Sequence, residues 1–441
     1  MEIRSWGNYP QINGINFREF ERQDLPEQIL NSHGTIIPRG LGRSYGDSAL
    51  GNNVFSSLAL NRIISFDEKT GYVTCEAGVS LEDILNKFVP AGWFPSVTPG
   101  TKFITIGGAI ASNVHGKNHH VAGSFCNHLY SLKILLSNGQ IITCGKDQNK
   151  ILFDATCGGM GLTGFILEAT FKLKRIATAY ISKETIRVKN LHSILDLLEK
   201  DALKWTYSVA WIDCLAKGIN QGRSLLFRGE HALPQDLEKD LRLNHPLQIP
   251  TKKPISIPFY FPNFTLNNMS IKLFNSFYYH KNSGKKQIED YDSFFYPLDN
   301  ILNWNRIYGN RGFLQYQFVL PKHSSLKGLQ VILTEISKSQ LGAFLAVLKL
   351  FGKQNDLISF PMEGYTLAVD FPITPRLFPF LKKLDALLLD FGGKIYLTKD
   401  ARMTAEMFQN SYENAEKFKK LKNKFDPQNK FQSMQSKRLK I

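Results

Sequence analysis

Val97-Thr-Pro-Gly-Thr-Lys-Phe-Ile-Thr-Ile-Gly-Gly-Ala-Ile-Ala-Ser-Asn-Val-His115-Gly-Lys-Asn-His-His120 places glycine at 100, 107, 108 and 116 and then closes on histidines. Glycine lets main-chain N–H groups turn toward a ligand with no Cβ in the way, and successive N–H groups form a nest for phosphate oxygens. The run reads as a backbone cradle for a dinucleotide. A second element of this kind lies upstream, Arg39-Gly-Leu-Gly-Arg-Ser-Tyr45-Gly-Asp47, and a third downstream, Cys157-Gly-Gly-Met-Gly-Leu-Thr-Gly164. Glycine clusters this close together point to one extended cofactor.

The third cluster separates two kinds of fold. Gly159-Met-Gly161-Leu-Thr-Gly164 has the letters of a Rossmann fingerprint, which must lie between a strand and a helix. The alternating run Phe165-Ile-Leu-Glu-Ala-Thr-Phe-Lys-Leu-Lys follows it, so these glycines enter a strand and no helix N-terminus faces a pyrophosphate. In Gly40-Leu-Gly42-Arg-Ser-Tyr-Gly46 the last glycine falls one place too late.

Around these clusters the pattern is α+β. Leu58-Ala-Leu-Asn-Arg-Ile-Ile, the turn Asp67-Glu-Lys-Thr-Gly71 and Tyr72-Val-Thr-Cys-Glu-Ala-Gly predict strand, turn and strand. Ser80 caps a helix beginning at Leu81, with Gly92 beyond its end. Leu132 to Cys144 is a hairpin about Asn138-Gly139. A nucleotide-binding domain thus ends near Arg175. Beyond it, strand-like runs at Tyr207 to Asp213, Phe313 to Leu320, Phe344 to Phe351 and Tyr365 to Phe371 alternate with helical segments near 190–204, 324–338 and 376–390. This is an antiparallel sheet covered by helices. The prolines between His245 and Pro262 forbid regular structure there. Its aromatics and lysines suit either a lipid headgroup region or a packed irregular loop.

Composition bounds the function. A chain of 441 residues exceeds one ordinary core, and 43% hydrophobic and 12% aromatic residues fill two domains. There is no apolar run of membrane-spanning length and no signal-peptide core, so the chain is expected to start near Met1 on the cytoplasmic side. The five cysteines, Cys75, Cys126, Cys144, Cys157 and Cys214, form no C-x-x-C pair and are expected to be reduced and buried, with Cys157 placed to face a ligand or the core. A net charge of +16 favours anionic partners. The lysines from Lys417 to Lys440 recur with Phe418, Leu421, Phe425 and Phe431, the pattern of a docked helix with a solvated lysine face, and no nucleic-acid motif accompanies them. His115, His119 and His120 lack a carboxylate or cysteine partner at ligand spacing, so no metal site is expected.

The three glycine elements, in this order and spacing, resemble the flavin-binding domain of the vanillyl-alcohol-oxidase and p-cresol-methylhydroxylase (PCMH) superfamily. Arg39 to Asp47, His115-Gly-Lys-Asn-His-His-Val-Ala-Gly-Ser-Phe, Phe313-Leu-Gln-Tyr-Gln-Phe-Val, Asp370-Phe-Pro-Ile and Lys399-Asp-Ala-Arg-Met-Thr-Ala-Glu resemble the decaprenylphosphoryl-β-D-ribose 2′-oxidase family. The resemblance spans about residue 35 to the end. It implies an α+β, two-domain flavoprotein: a PCMH-type FAD-binding domain of two α+β subdomains at 1–176, a substrate domain at 177–393, and a segment at 394–441 returning to the FAD domain. The reaction implied is oxidation of the 2′-hydroxyl of a polyprenylphosphoryl ribose to a keto sugar. An NAD(P)H-dependent short-chain reductase would then complete the epimerisation to arabinose.

The same resemblance implies site residues. FAD, held without a covalent bond, would lie against Arg39, Gly40, Leu41, Gly42, Arg43, Ser44, Tyr45, Gly46 and Asp47. It would also lie against Gly100, Thr105, Ile106, Gly107, Gly108, Ser112, Asn113, Val114, His115, Gly116, Ile166 and Tyr396. The substrate would meet Tyr45, His115, Lys117, Trp211, Gln315, Gln317, Lys349, Thr366 and Lys399, with Lys399, Lys349 and Gln317 catalytic. Hydride delivery to flavin N5 builds negative charge near N1 and the C2 carbonyl, which a cation such as Lys399 stabilises. Lys349 stands among apolar neighbours, where an ammonium needs an anionic or hydroxyl partner. Gln315 and Gln317 alternate in a strand and so share one face.

Two positions depart from the family. Ala368 stands where some members carry a cysteine two places before the aspartate of Val-Asp-Phe-Pro, and Thr366 replaces an asparagine. Nitroaromatic inhibitors that bond to that thiol should lose their covalent mode. The basic surface predicts peripheral contact with the inner face of the cell membrane, the alternative being a periplasmic site shared with a partner. Rival functions are an oxidase of a soluble alditol or sugar lactone, and a flavoprotein without turnover that serves a reductase complex.

Overall fold

The alternating run after the third glycine cluster is the central strand, Phe165–Arg175, of a six-stranded sheet. The structure, a computed structural model, describes residues 3–262, 265–281, 284, 286–341, 343, 345–354 and 356–441. Ala169, Phe171 and Leu173, alternating on one side of this strand, are each 1% exposed and share one core, as a period of two on a half-buried sheet requires. Tyr72–Glu76 and Leu129–Leu135 flank it antiparallel, Ile63–Asp67 and Ile141–Gly145 form the edges, and Trp93–Pro95 pairs with its far end. A second, parallel sheet of Asn16–Arg18, Asn53–Ser56 and Ile36–Arg39 lies beside it. Glycines 159 to 164 therefore lead into a strand, as the sequence predicts.

Local chemistry fixes the helices of this half. Ser80 and Asp83 make a reciprocal cap on Leu81–Phe88, whose Leu81, Ile84, Leu85 and Phe88 are buried. Thr105 caps the short helix Ile106–Ala111 by accepting from the Gly108 N–H at 3.2 Å. The expected strand over Leu58 to Ile64 is displaced: the strands are Asn53–Ser56 and Ile63–Asp67. Glu76 is the reason, because its carboxylate takes the Arg62 N–H at 2.8 Å while the Arg62 carbonyl takes the Glu76 N–H, holding the segment before Ile63 in a bend.

Arg175 ends the last strand of this sheet, and Tyr180 begins a fully antiparallel eight-stranded one. Its order is Lys286–Asp290, Tyr180–Val188, Ser224–His231, Tyr207–Ile212, Ala346–Phe351, Gly364–Pro372, Phe313–Pro321 and Lys394–Ile395. The sequence reading starts its third strand at Phe344, which lies outside the described residues. Besides the two-residue Lys394–Ile395, the strands beginning at Tyr180, Ser224 and Lys286 were not expected, since charges interrupt their apolar pattern. Those charges pair across the strands, Arg228 with Glu184 at 2.8 Å and Lys183 with Glu289 at 3.0 Å.

Helices Leu191–Lys200, Lys322–Ser339 and Leu377–Asp390 cover one face of this sheet, packing Ile194, Ile332 and Leu384 onto Leu314, Phe318, Leu348 and Leu367. Even-numbered residues of Phe313–Pro321 enter that core, so Gln315 and Gln317 project from the opposite face. The proline-rich stretch is irregular except for Ile255–Ser256, which pairs with Ile301–Leu302. An unanticipated helix, Asn268–Lys281, follows it.

The C-terminal segment returns to the first half. Phe431 bridges to Ile36, and Gln432 donates to the Ile36 carbonyl at 2.9 Å. The helix Ala415–Phe425 docks through Phe418, but its lysine face is not wholly solvated: Lys422 is fully buried, bonded to Asn429 and 3.8 Å from Asp426. All five cysteines are buried thiols, and Cys157 packs in the core of the six-stranded sheet rather than against a ligand space.

Candidate active site

A cavity of about 730 Å³ lies between the glycine loops and the uncovered face of the eight-stranded sheet. From the first half it takes Arg39 to Tyr45, Gly100, Thr105, Gly107, Gly108, Ser112, Val114 to Lys117 and Ile166. The second half contributes Trp211, Gln315, Gln317, Lys349 and Ala368, and the returning segment contributes Tyr396 and Lys399. Its size and mixed polar and apolar lining suit an organic cofactor with a substrate beside it.

Three features test whether FAD fits. The N–H groups of Leu41, Gly42, Arg43 and Ser44 donate to no atom among the described residues, leaving an anion nest on the cavity wall. Arg43 Nε is buried without a hydrogen-bond partner, although its guanidinium stacks 4.2 Å from the Trp6 ring centroid. A Cβ at Gly100 would meet nothing within 4 Å, so the cradle there is open. Burial lowers the Arg39 guanidinium to about 10 and pushes Arg43 down as well, a cost that a bound pyrophosphate would offset. The residues fit the cofactor.

Where the sheet closes on the glycine loops a cluster of titratable groups meets. Lys399 Nζ lies 3.5 Å from the centroid of the Tyr45 ring. Lys349 Nζ lies 3.4 Å from His115 Nδ1, and the Gln317 amide lies 3.2 Å from His115 Nε2. Burial, then the Lys349 charge, hold His115 well below its ordinary value, so the imidazole is neutral. The Gln317 amide nitrogen faces Nε2 and also donates to Thr366 Oγ1, so donors stand at both ring nitrogens and the tautomer sets which of the two accepts. Gln315 donates to Asp370 Oδ1 at 2.6 Å, and Tyr308 donates to Oδ2 at 3.1 Å.

Electrostatics sharpen the cluster. Burial brings Lys349 down to about 8, and it brings Lys399 down to about 7 against the opposing pull of Asp370. Burial also raises the Asp370 carboxyl to about 6. Lys117, bonded to the Phe294 carbonyl and 4.4 Å from that ring, is lowered to about 7 by burial and by Lys349. A cavity that depresses several lysines is one that gains from an anionic occupant.

Five expected site residues lie off the cavity. Thr366 is fully buried behind Gln317 and donates to the Phe318 carbonyl at 2.8 Å, so it backs the wall without forming it. Ile106 is core. Gly46 is held by close approach, since a Cβ there would fall 1.8 Å from the Asp400 carbonyl oxygen. Asp47 receives Arg438 at 2.6 Å. Asn113, with φ +40°, donates to Ser359 at 2.8 Å and accepts from the Cys126 N–H. These four shape the loops from behind.

The sequence reading also missed part of the lining. Asp299, Glu289, Phe294, Phe295, Tyr278 and Trp304 all reach the cavity. Aromatic density in Tyr291 to Tyr296 was the available signal, but no motif tied those rings to a ligand. Asp370 was quoted only as part of a motif, yet it anchors the cluster. His119 bonds to Gln354 and His120 to the Trp205 carbonyl, and among the described residues no three His, Cys, Asp or Glu side chains group to hold a metal.

A glycine-lined anion nest beside an antiparallel sheet, with no Rossmann βαβ unit among the described residues, fits a two-domain flavoprotein. Consistent with this, the FAD binding domain family matches residues 27–145. The chain is 38% identical over 418 residues to the decaprenylphosphoryl-β-D-ribose oxidase of Mycolicibacterium smegmatis, covering 92% of this chain and 89% of that one. It belongs to the decaprenylphosphoryl-β-D-ribose oxidase family. Shorter similarities reach an L-gulonolactone oxidase of Bos taurus, 29% identical over 34% of this chain and 33% of that one. A D-lactate dehydrogenase of Anaerostipes hadrus is 28% identical over 31% of each chain.

Proposed function

We propose that this chain oxidises the 2′-hydroxyl of a polyprenylphosphoryl-β-D-ribose to the 2′-keto sugar, the first half of an epimerisation to the arabinose form. The observation that carries the reading is the meeting of Lys399, Lys349, His115 and Gln317 where the sheet closes on the glycine loops. The Mycolicibacterium smegmatis relative, similar along nearly its whole length, supports the same substrate class. FAD, when bound, supplies the hydride acceptor. Lys399 supplies positive charge where negative charge develops on oxidation of the sugar, and its place over the Tyr45 ring fixes the direction of Nζ. Lys349 and Gln317 bond the sugar hydroxyls while His115 orients both. Gln315 holds Asp370 as the counter-charge of Lys399. Trp211, nearly buried and edge-on to Tyr278 at 5.0 Å, offers a face to the ribose.

Both His115 nitrogens face partners within the cluster, which supports FAD held without a covalent bond. Acid precipitation should release the flavin, whereas yellow colour in the pellet would refute this. We also propose the division 1–176, 177–393 and 394–441, and a short-chain reductase partner to consume the keto sugar. Among the described residues no helix is long and apolar enough to cross a membrane, and we propose peripheral contact with the inner face of the cell membrane. The reaction is tested by following flavin absorbance anaerobically on adding short-chain polyprenylphosphoryl ribose and, separately, a free alditol. Bleaching by the lipid-linked sugar alone is expected. Bleaching by the alditol alone would move the protein to the soluble-sugar oxidases.

A further inference from the structure

The helix Asn268–Lys281 is apolar on two faces, and only one of them is docked. Ile271, Asn275 and Tyr279, spaced by four, face the sheet, and Asn275 is tied to Asp213 at 2.9 Å. Met269, Leu273 and Phe277, also spaced by four, stand 63 to 71% exposed. A second apolar stripe open to water is not a feature of an ordinary surface helix, and clustered exposed apolar side chains mark a contact surface.

Two observations say what covers it. First, the patch is continuous with the cavity. Phe274 on the same helix and Leu302 both line the cavity and both stand exposed, and Leu302 pairs in register with the segment that bears Ile255, itself 71% exposed, and leads to Phe259. Apolar surface thus runs from the site outward. Second, the segment's own charge has one sign: from His245 to Lys281 the sequence has lysines at 252, 253, 272 and 281 and neither Asp nor Glu, and of these Lys252 pairs inward with Asp290 at 2.6 Å. Lys253, Lys272 and Lys281 are exposed. Apolar side chains framed by lysines fit an interface where acyl chains lie beneath anionic headgroups.

We propose that this face, the outer stripe of Asn268–Lys281 with Ile255 and Phe259, inserts into an anionic lipid bilayer and holds the cavity mouth against it. A lipid-linked substrate then enters from the membrane plane, its polyprenyl tail staying among acyl chains while the sugar reaches Lys399. This rests on the substrate reading above and adds the surface that performs the membrane contact.

The test is sedimentation of the FAD-loaded protein with vesicles of phosphatidylglycerol and phosphatidylcholine, and with phosphatidylcholine alone. Wild type should pellet with the anionic vesicles and only weakly with the neutral ones. Leu273→Ser with Phe277→Ser should weaken partitioning on the order of a hundredfold, about tenfold per side chain half-buried in lipid. Because neither residue lines the cavity, turnover of a short-chain, water-soluble substrate should be unchanged, which also reports an intact fold. A separate Lys253→Gln, Lys272→Gln, Lys281→Gln variant should lose the preference for anionic over neutral vesicles.

Wild type that ignores both vesicle types, or serine variants that pellet as wild type does, would overturn the proposal. So would a wild-type dimer in solution that the serine substitutions split, since the face would then join two copies of the chain. If the vesicle results are as expected but no polyprenylphosphoryl ribose bleaches the flavin, the substrate reading fails and the docking surface stands.

Discussion

Lys399 carries the sharpest expectations at the scale of single residues. Lys399→Ala should keep FAD bound yet slow its reduction by substrate on the order of a thousandfold, the size of effect seen when one preorganised charge at a reacting centre is removed. Stopped-flow absorbance checks this, and unchanged reduction would remove Lys399 from the mechanism. The lysine sits at about 7, so its ammonium is lost as pH rises through that value. The reductive rate should therefore fall on the alkaline side. Asp370→Asn removes the carboxylate that favours the ammonium, so the same limb should move to lower pH in a pH–rate profile, a shift that a merely structural residue would not produce. At position 368 an alanine lines the cavity, and all five cysteines are buried elsewhere. A nitroaromatic inhibitor should accordingly leave no covalent adduct by intact mass.

Between elements, the weak points are the clasps that bring the returning segment to the glycine loop. Arg438, on the last helix, Met434–Leu439, spans Asp47 at 2.6 Å and Asp400 at 2.9 Å, and it also donates to the Met403 carbonyl. Removing one partner of a largely buried ion pair strands the other charges, so Arg438→Ala should cost about 3 kcal/mol. For a chain of this size that is a fall in melting temperature of several degrees, with loss of FAD affinity because Asp47 closes the loop that carries Arg43. The helix Asn268–Lys281 shows the limit of reading elements by period: apolar residues on both its docked and its open face blur the 3.6-residue signal. The strands Tyr180–Val188 and Ser224–His231 were hidden for a related reason, since their charges are matched by neighbouring strands that a linear reading cannot supply.

Over the whole molecule, the two halves enclose a cavity in which three lysines are held below their ordinary values: Lys117 and Lys399 at about 7 and Lys349 at about 8. An unfolded chain keeps these groups protonated up to about pH 10, so between pH 8 and 10 it binds more protons than the folded one. These groups make the apoprotein more stable as pH rises through that window and less stable as it falls toward 7, opposite to the usual alkaline loss. Denaturant midpoints of FAD-free protein at pH 7.5 and 9 check the sign.

The sequence by itself determined an α+β fold and a dinucleotide cradle, because glycine spacing and a strand after Gly164 are local facts: backbone N–H groups need only small neighbours to form a nest, and the family resemblance then specified FAD. It also placed Gln315 and Gln317 on one face, which a period of two decides without any partner. Tertiary structure decided which of those residues line the cavity. Thr366 and Asp47 are close in sequence to cavity residues, yet packing turns one behind Gln317 and the other onto Arg438. The lining from Phe294, Asp299 and Trp304, and the pull of the Asp370 charge on Lys399, join residues far apart in the chain. Their proximity is set by how two sheets close on one space, and burial in that space is what moves their charges toward neutrality.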